Sequence, residues 1–152
     1  MKCLCVNPLV ADFTEGLSPD QIPYMKKVVA GSLTLQKSLE FSKHAFSGLG
    51  LLTAASVGAA SCSDFEFDFF DENMEGIPFA EKLEEGYDLV ALGGTVYQMN
   101  RMLSLIAEAQ RREIPVVAGG AAVMTFPKIF EREGVSIVLG ESEALFPQFF
   151  FS

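Results

Sequence analysis

The sequence has few of the residues that metal sites need, with three cysteines and one histidine among 152 residues. Cys3 and Cys5 alternate within a short apolar stretch, and Cys62 stands alone. No cysteine pair has the two-residue spacing typical of zinc and iron–sulfur sites, and a lone histidine cannot complete one. We therefore predict buried free thiols, which suit a reducing cytosol. For His44, a surface or lid position is predicted in preference to catalysis.

The motifs of several enzyme classes are also missing. No glycine loop ends in Gly-Lys-Ser or Gly-Lys-Thr, which excludes a P-loop. No Gly-x-Ser-x-Gly is present, which excludes a hydrolase nucleophile elbow. Asn7-Pro8 occupies the place where a dinucleotide fingerprint would follow the first strand. A phospho-receiver would need paired acids, an aspartate and a lysine where this chain has Asn7, Gly94 and Gly140.

Positive charge is scarce, and the net charge is -9. The segment Asp64–Asp88 holds ten acidic residues and one lysine, so the rest of the chain sums to zero. Without a basic patch, we expect no nucleic-acid partner. The acidic segment itself is interpreted as a solvated surface around a strand and a helix.

Long apolar runs that could cross a bilayer are lacking as well. Asn7-Pro8 breaks the first apolar run after four residues, which argues against a signal peptide there. The run Leu49–Ala60 is too short and too rich in glycine and alanine to span a membrane. We therefore expect a cytoplasmic protein without a membrane partner.

Three apolar runs each end in glycine, and this repeated pattern organises the chain. They are Asp88–Gly94 (DLVALGG), Ile114–Gly120 (IPVVAGG) and Val135–Gly140 (VSIVLG). Apolar runs rich in β-branched residues are typical of strands buried on both faces. Because a helix-like segment separates each run from the next, the glycine turns should share the carboxyl edge of a parallel sheet. In open α/β sheets, ligands bind at that edge.

The other segments complete an α/β pattern. Strands are predicted at Lys2–Pro8, Glu66–Asn73, Asp88–Gly94, Pro115–Ala118 and Val135–Leu139. Helical segments are predicted after the start signal Ser18-Pro19-Asp20-Gln21 and at Phe46–Ala60, Pro78–Glu85, Arg101–Arg112 and Pro127–Glu133. Five strands with four crossovers predict one doubly wound, Rossmann-like or flavodoxin-like parallel sheet in the order 2-1-3-4-5, with its switch point between strands one and three.

Two further segments bear on the ligand edge. The excursion from Leu9 to about Ala45 is long for a connection, which favours a lid over that edge. Within it, Tyr24–Phe41 is partly amphipathic, but Gly31 weakens a single long helix. Asp71-Glu72 should stand at the same edge, although a solvated turn is the preferred interpretation of these two acids.

A series of short motifs follows in a fixed order along nearly the whole chain. Asn7-Pro8 ends strand one, Leu49-Gly50-Leu51-Leu52 leads an alanine-rich helix, and Asp71-Glu72 ends strand two. Asp88-Leu89-Val90, Pro115–Gly120 and Gly140-Glu141-Ser142-Glu143 complete the series. No single piece is specific, but their order and spacing resemble the cobalamin-binding domain that precedes the catalytic barrel in B12-dependent radical SAM enzymes. The closing Gly-Glu-x-Glu is the strongest part of the resemblance.

The resemblance implies that residues 1–152 form one cobalamin-binding-like domain, the N-terminal part of a longer radical SAM protein. A cobalamin would lie across the carboxyl edge, with its nucleotide tail among the later strands. By position, the implied contacts are Asn7, Pro8, Thr95, Val96, Tyr97, Gln98, Gly119, Gly120, Gly140 and Glu141. The glycines would admit the bulky tail, and Thr95 and Gln98 could hydrogen-bond its polar groups.

Two departures from related domains shape the expected function. In cobalamin domains of the methionine synthase and mutase type, the histidine of an Asp-x-His-x-x-Gly loop ligates cobalt. The loop after strand one of this chain has no histidine, so the resemblance is to the radical SAM relatives that also lack this ligand, unless His44 supplies it. The Cys-x-x-x-Cys-x-x-Cys cluster motif is absent, and the sequence ends at Phe149-Phe150-Phe151-Ser152. We expect either a piece of a longer protein or a stand-alone module that alone cannot cleave S-adenosylmethionine. S-adenosylmethionine and a 4Fe–4S cluster would belong to a downstream barrel domain, its expected partner.

Two alternative functions remain open at this point. The chain could be a cofactor-free structural or docking domain of a radical SAM protein. It could also be a flavodoxin-like binder of another phosphorylated ligand. The leading prediction is a module that holds a corrinoid for methyl transfer or related radical chemistry.

Overall fold

A computed structural model of the chain describes residues 1–9, 18–33, 37 and 66–140. Within those residues, five strands form one parallel sheet in the order β2-β1-β3-β4-β5. The strands are β1 (Lys2–Asn7), β2 (Glu66–Asp71), β3 (Leu89–Gly93), β4 (Val116–Gly119) and β5 (Val135–Ile137). The predicted α/β fold class and strand order are confirmed. The predicted helix Phe46–Ala60 and most of the predicted lid lie outside the described residues.

Two prolines set the ends of strands. β1 ends at Asn7 rather than at Pro8, because a proline has no N–H to continue the ladder. β4 begins at Val116 rather than at Pro115 for the same reason. The Pro115 carbonyl still accepts a hydrogen bond from the Val90 N–H at 3.0 Å, so the proline lies directly beside the sheet.

The first helix, α1 (Gln21–Ala30), begins where its start signal predicts. The Ser18 N–H donates to Gln21 Oε1 at 3.0 Å, and the Gln21 N–H donates to the Ser18 carbonyl at 2.9 Å. Serine followed three residues later by glutamine therefore acts locally as a cap. The helix ends directly before Gly31, which bounds the partly amphipathic segment at that side.

The later helices are short except for one. They are α2 (Phe79–Lys82), α3 (Met99–Arg111), α4 (Ala121–Thr125) and α5 (Pro127–Phe130), with 3₁₀ turns at Leu83–Glu85 and Val96–Gln98. Helix α4 is absent from the sequence-based prediction, and α5 ends at Phe130 rather than at Glu133. The reason is Gly120, whose φ of 85° and ψ of -174° turn the chain from β4 directly into α4.

The main core lies between the sheet and α3. Met102, Leu105, Ile106 and Ala109 on one face of α3 are buried, as the spacing of its apolar residues predicts. A second apolar cluster contains Cys3, Cys5 and Leu89. Both cysteines are free and at most 2% exposed, which confirms the prediction for these two thiols. No helix among the described residues is long and apolar enough to cross a membrane.

A cluster of charged groups fastens α2 to β2. Lys82 Nζ lies 2.9 Å from Asp68 Oδ2 and 2.8 Å from Glu85 Oε2. The Tyr87 hydroxyl lies 2.5 Å from the same Asp68 oxygen, and Lys2 Nζ sits 4.4 Å from the centre of the Tyr87 ring. Partial burial opposes the charge on Asp68, but the hydrogen bonds from Tyr87 and Lys82 outweigh it and lower the pKa of Asp68.

This cluster should make the acid stability of the protein depend on Asp68. Because the pKa of Asp68 is lower in the folded state, its contribution is present above the unfolded pKa of about 3.9 and is lost as the pH falls through the folded pKa. We expect Asp68→Asn to lower the free energy of unfolding at pH 7 and to lower it less at pH 3, as measured by urea unfolding followed by circular dichroism. An equal loss at both pH values would contradict this assignment.

Candidate ligand-binding site

The carboxyl ends of the parallel strands meet at one edge of the sheet, and this edge has two unlike halves. Asn7 pairs with Asp71 across β1 and β2, and Gly93 pairs with Gly119 across β3 and β4. We name the first the polar half, which contains Asn7, Pro8, Leu9, Asp71, Glu72 and Asn73. We name the second the glycine half, which contains Gly93, Gly94, Gly119, Gly120 and Gly140.

In the polar half, Asp71 is bonded on both carboxylate oxygens. Asn7 Nδ2 donates to Asp71 Oδ2 at 3.1 Å. The backbone N–H and the Nδ2 of Asn73 donate to Asp71 Oδ1 at 2.9 and 2.8 Å. Asp71 is only 9% exposed, so its charge is held by amide donors rather than by water. It joins the end of β1 to the turn after β2.

Glu72 holds the neighbouring turn through an ion pair. Arg101 Nε and Nη2 donate to its two carboxylate oxygens at 3.0 and 2.6 Å, a bidentate pair. The Leu9 N–H donates to Glu72 Oε2 at 2.9 Å, and the Glu72 side chain is 8% exposed. Asp71-Glu72 therefore stands at the predicted edge but does not form a solvated turn. The sequence reasoning missed Arg101, because nothing in the local pattern links it to an acid 29 residues earlier.

Gln98 bridges the two strands at the switch point. Its Nε2 donates to the Pro8 carbonyl at 2.5 Å and lies 3.4 Å from Asn7 Oδ1. Its Oε1 accepts hydrogen bonds from the Thr95 N–H at 2.9 Å and from the Thr95 hydroxyl at 3.2 Å. Gln98 is 3% exposed, so its carboxamide is committed to protein partners in this structure. The pattern Thr-x-x-Gln is a recognisable capping box, which sequence reasoning could have used to find the Thr95 contact.

In the glycine half, the glycines do two different things. Among the described residues, no atom lies within 4 Å of a Cβ placed on Gly93, whereas one on Gly119 would meet Val138 Cβ at 3.5 Å. A Cβ on Gly120 would instead lie 2.9 Å from the backbone N and O of Gly94. Gly120 is thus required for close backbone packing, whereas Gly93 is exposed and no described residue packs against its Cβ position.

Exposed apolar side chains follow each of the three strands of the glycine half. Val96 and Tyr97 lie in the 3₁₀ turn after β3 and are 41% and 84% exposed. Met124 on α4, after β4, is 57% exposed, and Leu139, after β5, is 54% exposed. We call these four side chains the apolar rim. All four follow the carboxyl ends of these strands in the chain and expose apolar surface that a ligand or another protein could cover.

The residues implied by the resemblance fall into two groups at this edge. Asn7, Pro8, Thr95 and Gln98 share one hydrogen-bond network. Val96, Tyr97, Gly119, Gly120 and Gly140 belong to the glycine half and its apolar rim. Gly140 has a φ of 116°, and a Cβ there would meet no atom of residues 1–9, 18–33, 37 or 66–140 within 4 Å. Glu141 lies outside the described residues.

Among residues 1–9, 18–33, 37 and 66–140, no group of three or more His, Cys, Asp or Glu side chains is placed to hold a metal ion.

A cavity of about 450 Å³ lies at the opposite edge, lined by Gln110, Glu113, Ile114, Pro115, Glu133 and Gly134. It is far from the predicted ligand edge, because Pro115 precedes β4 and Gly134 precedes β5.

Comparison with known proteins adds no relative. No known protein family, no curated protein and no solved structure matches the chain. The geometry of the carboxyl edge therefore carries the functional argument.

The two adjacent glycines at the end of β4 should respond differently to alanine. Gly120→Ala places a Cβ against the Gly94 backbone in a conformation that only glycine adopts readily, so we expect a loss of about 3 kcal/mol in the free energy of unfolding. Gly119→Ala meets only an ordinary contact and should change it by less than about 1 kcal/mol. Chemical denaturation of both variants measures the difference. Equal losses would show that the Gly94–Gly120 contact does not constrain the fold.

Proposed function

We propose that this chain is a cobalamin-binding module that holds a corrinoid at the carboxyl edge for a radical SAM methyltransferase-type enzyme. The observation that carries the proposal is Gly93, an exposed glycine at the end of β3 where a Cβ would meet no atom of the described residues within 4 Å. The four exposed side chains of the apolar rim follow the ends of β3, β4 and β5. Together these features match a large, flat ligand better than a small polar one.

Two properties of the glycine half fit a corrinoid: the exposure of Gly93 and exposed apolar side chains nearby in the chain. A Cβ at Gly93 would project into the space that the proposal assigns to the ligand, so glycine there keeps the site open. The apolar rim would lose water on contact with the macrocycle, which favours binding in proportion to the apolar area covered. When bound, cobalamin supplies a cobalt centre that can carry a methyl group. This chain would bind and orient it, while cleavage of S-adenosylmethionine at a 4Fe–4S cluster would belong to a separate barrel domain in the cytoplasm.

A second candidate, a cofactor-free docking domain, is favoured by the state of Gln98. Its carboxamide is fully engaged with Pro8 and Thr95, so the switch point is held together without any ligand. Likewise, Gly120 is explained by its packing against Gly94. Such a domain would keep the sheet and use its apolar rim against another protein.

A flavodoxin-like binder of a phosphorylated ligand fits this edge poorly. An anion at the switch point would lie beside the carboxylate of Asp71, whose hydrogen bonds come from uncharged amides. Like charges at short range raise the energy of such a complex. Pro8 also has no N–H to donate to a phosphate oxygen.

Binding can be tested directly with hydroxocobalamin. We expect the full 152-residue chain, incubated with hydroxocobalamin and passed over gel filtration, to elute with a visible corrinoid absorption band. The free cofactor elutes separately because it is much smaller. A folded protein that elutes without this band would overturn the proposed function and leave the docking domain as the candidate.

A matched pair of glycine substitutions locates the ligand. Gly93→Leu adds a side chain where no atom of the described part of the chain lies within 4 Å, so the fold should persist while the affinity for hydroxocobalamin falls by tenfold or more, a cost of about 1.4 kcal/mol. Gly76→Leu is the control, because a Cβ on Gly76 also meets no described atom within 4 Å but Gly76 lies in the loop after β2. Titration followed by absorption spectroscopy measures both. Equal affinities for the two variants would exclude the glycine half as the site.

A further inference from the structure

Gln98 connects two turns that belong to different strands. Through Oε1 it closes the turn at Thr95 that carries Val96 and Tyr97. Through Nε2 it fastens this turn to the Pro8 carbonyl at the end of β1, across 90 residues of sequence. One buried side chain therefore sets where half of the apolar rim lies relative to the sheet.

The end of β1 is also held in place by hydrogen bonds that do not involve Gln98. Asn73 Nδ2 also donates to the Pro8 carbonyl, at 3.3 Å. The next N–H, that of Leu9, donates a hydrogen bond to Glu72, and Arg101 donates two hydrogen bonds to the same carboxylate. The acceptor of the Gln98 bond is thus fixed independently of Gln98, so loss of that bond should release the Thr95–Tyr97 turn and leave β1 in place.

We propose that Gln98 is a positioning residue for the ligand of the glycine half. Its hydrogen bonds hold the Thr95–Tyr97 turn against β1, so Val96 and Tyr97 are already ordered before the ligand binds. Binding then loses less conformational entropy. This inference rests on the proposed function and differs from a direct contact, because the Gln98 carboxamide has no free donor aimed at the glycine half.

Two substitutions separate the two ends of the Gln98 carboxamide. Gln98→Met keeps the length of the side chain and removes both sets of hydrogen bonds. Gln98→Glu keeps an acceptor for the Thr95 N–H but, when ionised, has no proton to donate to the Pro8 carbonyl. Gln110→Ala is the matched control: Gln110 lies on α3 near the opposite edge, and its Nε2 donates to the Glu133 carbonyl at 2.6 Å.

Nuclear magnetic resonance relaxation reports the positioning without any ligand. In the unchanged chain, the backbone order parameters of Val96 and Tyr97 should be near the rigid value of about 0.85, and in Gln98→Met they should fall below about 0.6. Gln98→Glu should lower both values by less than Gln98→Met does, because it loses only the bond to Pro8, and Gln110→Ala should change neither value. Unchanged order parameters in Gln98→Met, with the fold intact by circular dichroism, would overturn the positioning role.

Hydroxocobalamin titration completes the test at pH 8. We expect both Gln98 variants to bind at least tenfold more weakly than the unchanged chain, and Gln110→Ala to bind equally well. Wild-type affinity in Gln98→Glu would overturn the role of the bond to Pro8, although the proposed function would stand. If the unchanged chain itself fails to bind, the proposed function and the ligand part of this inference both fall, and the order parameters still decide whether Gln98 positions the turn.

Discussion

The missing N–H of Pro8 is the constraint on which the carboxyl edge depends. Because Pro8 has no N–H to continue the ladder, β1 ends at Asn7, and the next backbone groups of the chain find their partners in side chains. Asn73 and Gln98 satisfy the Pro8 carbonyl, and Glu72 satisfies the N–H of Leu9. The turns after β2 and β3 are therefore both fastened to the end of β1.

This arrangement gives the two halves of the carboxyl edge different chemical properties. At the ends of β1 and β2, the carboxylate of Asp71 and the side-chain amides of Asn7 and Asn73 hydrogen-bond to one another, and Asp71 is nearly buried. Around β3, Gly93 is exposed, and exposed apolar side chains such as Tyr97 follow it in the chain. The proposed ligand would gain more by covering this second region, because binding in the first would break bonds that the protein already makes. The side chains at the switch point therefore hold the strands together, and the proposed site lies beside them.

Much of this organisation follows from local sequence patterns. The apolar runs that end in glycine predict parallel strands with a shared carboxyl edge, and the strand order was predicted correctly. Ser18 and Gln21 predict the start of α1, since a cap needs only residues three apart. Helix α4 was missed because its sequence continues the apolar run of β4, and only the positive φ of Gly120 separates the two.

The strands and the start of α1 could be predicted from the chain because hydrophobic spacing and capping act between neighbouring residues, and the strand order followed from the rule for doubly wound sheets. Which glycines pack against backbone could be seen only in the folded sheet. Gly93 and Gly94 are adjacent, yet only Gly94 packs against Gly120, and that contact depends on how β3 and β4 lie side by side. The pairing of Glu72 with Arg101 was likewise beyond the sequence, because an ion pair between the end of one strand and the start of a distant helix leaves no local pattern.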